Sequence, residues 1–114
     1  MKRSEAFPSQ YIGKEDVQTP IVLHVGSAEM RNIGTENEQE EKPVIAWQEP
    51  DAKPFIVNAT NWASIEAMYG EESDDWRGKP IELYFDPSVV FRGKRVGGVR
   101  VRRPSPGQVK DPPF

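Results

Sequence analysis

Between Ile21 and Ile33 the chain reads IVLHVGSAEMRNI, and the fold turns on how this stretch is read. Ile21, Leu23 and Val25 are apolar at odd positions, and Ala28 and Met30 are apolar at even ones. A strand has a side-chain period of two, so a change of phase means one extra residue, and Gly26 stands at the change. A bulge or sharp bend at Gly26-Ser27 puts both halves back on one buried face. The reading is a long first strand, bent in its middle.

Working outward, Val44–Gln48 and Phe55–Val57 are two further short strands, separated by the turn Pro50-Asp51-Ala52-Lys53-Pro54. Gly34 to Lys42 carries no apolar residue and reads as an acidic loop. A helix follows, with Asn58 or Thr60 as its cap, Trp62, Ile65, Met68 and Tyr69 on one face, and Gly70 as its stop. Trp76 anchors the return to the core. Ile81, Leu83 and Phe85 alternate with Glu82 and Tyr84 in a fourth strand, which Asp86-Pro87 ends. Val89–Arg92, Gly93-Lys94 and Arg95-Val96 read as a tight hairpin, and Val99 to Arg102 is the last strand. On the N-terminal side, Phe7, Tyr11, Ile12 and Val17 are the residues placed to dock on a core, with a helical turn around Lys14–Asp16.

The predicted fold class is mainly β: a small five-stranded OB-like barrel with one helix between strands three and four. An SH3-like barrel is the rival, but it does not usually carry a helix of this length at that point. Residues 1–19 form an irregular N-terminal segment, 20–103 the barrel domain, and 104–114, PSPGQVKDPPF, a flexible Pro-rich tail.

With 114 residues the chain has room for one modest core, burying roughly two-thirds of the unfolded surface. No cysteine is present, so a disulfide framework is excluded and a reducing cytoplasm is the expected location. The longest apolar run, Val44 to Trp47, is too short to cross a membrane. Met1-Lys2-Arg3 is followed by no apolar core, so no secretory signal is expected. His24 is the single histidine; it lies mid-strand, where a packed imidazole outweighs a general base. No zinc set, nucleophile elbow, phosphate loop or calcium loop has the required spacing. No enzyme activity, metal or cofactor is expected. The acidic runs Glu36–Glu41 and Glu71–Asp75 read as solvated loops.

The formal net charge of −3 hides a split. Residues 1–75 hold 6 basic and 15 acidic residues, and residues 76–114 hold 9 basic and 3 acidic ones. Arg92, Lys94, Arg95, Arg100, Arg102 and Arg103 fall within twelve residues that contain no acid. Cations packed this closely favour a compensating partner, and phosphate suits guanidinium forks. In a barrel of this type the loop between the last two strands walls the nucleic-acid groove, and single-strand binders add aromatic platforms for stacking. The candidate contacts are therefore Arg92, Lys94, Arg95, Arg100 and Arg102 for phosphates, with Trp47 and Tyr84 for bases; Phe91 is a third strand aromatic. Two other readings stay open: a basic edge that prevents strand-to-strand aggregation, and pairing with the chain's own acidic loops.

Two resemblances add to this. From Phe7 to Pro104 the chain resembles small uncharacterised proteins of bacteriophage and prophage genomes. The residues that carry this are Phe7-Pro8-Ser9-Gln10-Tyr11, Asn58-Ala59-Thr60-Asn61, Asp74 to Lys79 with Ile81 to Tyr84, and Phe91 to Arg102. It implies lineage and fold rather than an activity. The closing Asp111-Pro112-Pro113-Phe114 is similar to the Asp-Ile-Pro-Phe tail of bacterial single-stranded DNA-binding proteins, which docks on replication and repair partners. That implies a docking role for Asp111 and Phe114, although Lys110 and Pro113 depart from the pattern. The expected function is low-specificity binding of single-stranded nucleic acid by a phage-type domain. The alternative is a protein-interaction or assembly module, with a homodimer among its forms.

Overall fold

The computed structural model describes residues 9–34 and 37–105. Seven strands and one α-helix follow in the order β1 (Ile21–Asn32), β2 (Glu41–Trp47), β3 (Phe55–Ile56), α1 (Ala59–Tyr69), β4 (Pro80–Asp86), β5 (Val90–Phe91), β6 (Lys94–Arg95) and β7 (Gly98–Arg102). Short 3₁₀ turns lie at Lys14–Val17 and Ser73–Trp76. The main sheet is five-stranded and antiparallel in the order β3-β2-β1-β4-β7, with β5 and β6 forming a separate ribbon. Mainly β with one helix is thus the architecture, and the elements succeed one another along the chain as expected.

The bend in β1 organises this sheet. Ile21 to His24 pair with β4, and Ser27 to Asn32 pair with β2. The ladder shifts between Val25 and Ser27, so the bulge falls on Gly26. A Cβ built on Gly26 would stand 2.8 Å from the carbonyl oxygen of Ala46, too close for any side chain. Glycine is required there by proximity of backbone to backbone.

The core gathers Val17, Leu23, Val25, Ile45, Trp47, Phe55, Val57, Ile65, Trp76, Ile81, Leu83 and Val101, with Ile12 docked from the N-terminal side. Asn58 caps α1 by accepting from the Asn61 amide at 2.8 Å, and Gly70 ends the helix with φ 99°. Trp76 donates its indole N–H to the Gly70 carbonyl and packs on Trp62 at 4.6 Å between ring centroids. The return from helix to sheet is pinned there.

Two expectations change. Met30 was expected on the buried face, yet it is 60% exposed. The end of β1 and the start of β2 run past the core as a two-stranded ribbon, with Met30 opposite Pro43 and Asn32 opposite Glu41. A ribbon wet on both faces needs no apolar alternation, which is why Glu41 and Lys42 read as loop. Of the expected OB-like barrel the structure shows the five-stranded antiparallel sheet and the one helix between β3 and β4; β3 and β7 stand at the two edges, and among the described residues no backbone ladder joins them. β3 is two residues long, hemmed between Pro54 and the cap of α1, and Asn61 of the helix donates to the Val99 carbonyl on β7 at 3.1 Å.

Candidate functional site

The connection from β4 to β7 projects the basic residues. It is a two-residue hairpin, with Val90 opposite Arg95 and Phe91 opposite Lys94. Arg92 and Gly93 form the turn, with φ 51° and 78°. Two positive φ angles in succession are those of a type I′ turn, whose twist matches the flanking strands. The turn thus sits at Arg92-Gly93, one residue earlier than the expected Gly93-Lys94.

Cross-strand partners share a face, so Phe91 and Lys94 lie on one side of the ribbon and Val90 and Arg95 on the other. Phe91 is 61% exposed and Val90 57%. The Arg92 guanidinium carbon lies 5.2 Å from the Phe91 ring centroid. Among the described residues, Arg92, Lys94 and Arg95 have no ion-pair partner. The base of the ribbon is held: Val96 and Gly97 donate to the Val89 carbonyl, and Lys14 Nζ donates to the Val96 carbonyl at 2.9 Å.

The basic residues of β7 are placed differently. Arg102 stands opposite Glu82 of β4 and pairs with its carboxylate, while its guanidinium lies 4.1 Å from the Tyr84 ring centroid. Glu82 is buried, and this pairing is what makes a buried carboxylate tolerable. Arg103 donates to the Met68 carbonyl at 2.9 Å and lies over Tyr69. Burial pushes the Tyr69 hydroxyl up, against the opposing charge of Arg103. Arg100 is half-buried beside Asp86. The Asp86 carboxyl is held below its ordinary value, chiefly by hydrogen bonds from the Ser88 hydroxyl and amide and lastly by Arg100.

The aromatics separate in the same way. Trp47 is buried and stacks on Phe55 at 6.5 Å, so its ring presents no open face for a base. Tyr84 is half-buried, with one face occupied by Arg102. The structure therefore brings Arg92, Lys94 and Arg95 together on the ribbon, and it leaves Trp47, Tyr84 and Arg102 elsewhere. Phe91 is the exposed aromatic among them, and its signal in the sequence was its place beside a two-residue turn ending in glycine. Asp111 and Phe114 lie outside the described residues.

His24 is buried against Glu49: its ring Nδ1 donates to Oε2 at 2.7 Å and its amide to Oε1 at 2.9 Å. Burial raises the Glu49 carboxyl, but these two bonds outweigh it and hold the group below its ordinary value. The pair ties the turn after β2 to the middle of β1. Among the described residues no three His, Cys, Asp or Glu side chains gather to hold a metal ion, and no helix is long and apolar enough to cross a membrane. No protein-family model, curated protein or solved structure matches the chain.

Proposed function

We propose that the chain binds single-stranded nucleic acid, with little sequence preference, through the β5–β6 ribbon. On this reading the five-stranded sheet is an OB-like barrel left open between β3 and β7, and the resemblance to small phage proteins gives its lineage. Arg92, Lys94 and Arg95 neutralise phosphates, and Phe91 offers its ring to a base. Arg100 stands behind them, and Tyr84 and Arg102 support the strand from which the ribbon rises.

The observation that carries the reading is the turn itself. Arg92 holds a left-handed backbone conformation that costs a non-glycine residue about 1 kcal/mol, at a position where Asn or Gly is preferred. Strain kept at an exposed position supports a use for the side chain found there. An exposed phenylalanine beside three unpaired cations is also the pairing that single-strand binders employ.

Fluorescence anisotropy with an oligothymidine at two salt concentrations tests this. Three phosphate contacts give a slope of log affinity against log salt of about −2 for a single strand. Absence of binding at low salt with tens of micromolar protein removes the proposal. A second reading draws on the exposure of Val90, Phe91 and Val96: an apolar ribbon fringed with cations also suits an acidic protein surface, including that of a second copy. Sedimentation separates the two, since self-association that salt abolishes, with no response to oligonucleotide, favours the second.

A further inference from the structure

Beyond its bulge, β1 has an unpaired outer edge. β4 pairs with Ile21 to His24, and its approach ends where the Val25 amide donates to Lys79 and the Gly78 amide to Val25. From there a cleft of about 320 Å³ separates β1 from the 3₁₀ turn, with Ser27, Ala28 and Glu29 on one wall and Ser73, Asp74 and Arg77 on the other. Which residues address that edge follows from the ladder with β2. The Ile33 amide donates to the Glu40 carbonyl, and Pro43, which has no N–H to give, stands opposite Met30. The odd-numbered residues therefore bond to β2, and Ala28, Met30 and Asn32 turn their backbone N–H and C=O groups outwards. Among the described residues no strand pairs with them.

The side chains along this edge are self-complementary. Ala28 packs at the margin of the core, and Met30, two residues on, carries that apolar face into solvent. Glu29 and Arg31 alternate with them on the opposite face, both exposed and, among the described residues, without an ion-pair partner. We propose that this edge pairs antiparallel with the same edge of a second copy, about a two-fold axis at Met30. In that register Met30 bonds Met30 of the second copy, and Ala28 bonds Asn32. Glu29 stands directly opposite Arg31 of the second copy, in a pair without backbone bonds, where cross-strand side chains come closest. The two-fold axis repeats the ion pair on its other side. Moving the axis by one residue sets Glu29 against Glu29, or Arg31 against Arg31, and either is repulsive. The charges thus select one register. On the other face the two Met30 side chains cover each other, which accounts for an apolar residue left in solvent by the single chain. Both edges are consumed, so the assembly closes as a dimer and cannot grow into a filament. It makes no use of the β5–β6 ribbon.

Paired over so few residues, the interface is small, and association is expected only at high protein concentration. Sedimentation of the full chain up to about 1 mM is expected to show a monomer–dimer equilibrium. Glu29→Arg and Arg31→Glu each turn both attractive pairs into repulsive ones, and each variant alone is expected to dimerise at least about tenfold more weakly. Mixed in equal amounts, the two variants set arginine against glutamate in both pairs, and the mixture is expected to regain the parent's association. Arg95→Gln, on the β5–β6 ribbon, is expected to leave the association unchanged. A parent chain that stays monomeric to the top of the range overturns the proposal. So does an association that the two charge variants retain, that their mixture fails to restore, or that Arg95→Gln abolishes.

Discussion

Arg92 spends backbone strain to hold a guanidinium at the end of a ribbon, and the two effects can be separated by one substitution. Arg92→Asn places the favoured Asn-Gly pair in the type I′ turn. It is expected to raise stability by about 0.5–1 kcal/mol, read as a higher urea midpoint. The same change removes one cation from the proposed interface, so the salt slope for oligothymidine binding falls by about 0.7 and affinity drops. A variant that gains stability and keeps both affinity and slope shows that Arg92 is a turn residue without a ligand. Arg102 illustrates the opposite use of the same residue type. Alternation along each strand put Arg102 and Glu82 on faces away from the apolar side chains, and that much was legible. That the two stand directly opposite was not, because the register between β4 and β7 is set by the length of the intervening ribbon and by Gly97-Gly98. Trp47 was misread for a related reason: β2 crosses the core at its C-terminal end, and the polar residues that follow gave no sign that its neighbour Phe55 would cover the ring.

Among the elements, β1 was the most legible, because a bulge leaves a shift of phase in the sequence and the shift falls on a glycine. Its requirement is testable. In Gly26→Ala the new Cβ meets the Ala46 carbonyl oxygen at 2.8 Å and the Trp47 carbonyl group at 3.2–3.3 Å, all of them backbone. Backbone atoms held in a ladder cannot withdraw as a flexible side chain can, so the substitution is expected to cost about 2 kcal/mol. A urea midpoint within experimental error of the parent's contradicts the close approach. The helix was equally legible, through Asn58 at its start, Gly70 at its end and the spacing of Trp62 and Ile65. The projecting halves of β1 and β2 were not. Their pairing is a matter of backbone hydrogen bonds, continued just beyond both strands by the Ile33 amide donating to the Glu40 carbonyl at 2.8 Å, and solvent on both faces leaves no hydrophobic pattern to read.

At the scale of the whole molecule, the turn between β2 and β3 is where acid is expected to act. Glu49 ties this turn to His24 of β1, and Lys53 at its other end pairs with Asp16 of the N-terminal 3₁₀ turn at 3.0 Å. The Ile12 amide donates to Pro54 at 2.9 Å, completing the attachment of the N-terminal segment. In Asp16, burial raises the carboxyl, but the Gly13 amide and Lys53 together hold it below its ordinary 3.8. Glu49 is held below its ordinary 4.5 by His24, against burial. Each group binds a proton less readily when folded than when unfolded, so its contribution is complete above the unfolded value and is lost as pH falls through the folded one. Stability is therefore expected to hold from neutrality down to about pH 5 and to decline below about 4.5. Glu49→Gln is expected to lower stability at pH 7 by about 1 kcal/mol through loss of a charge-assisted hydrogen bond, and to differ less from the parent at pH 3, since acid moves the parent's carboxyl towards the neutral form that the substitution mimics. Urea midpoints of the two chains at both pH values measure this. A constant difference across the range shows that Glu49 serves the turn by shape and neutral hydrogen bonding, with its charge contributing nothing to the attachment.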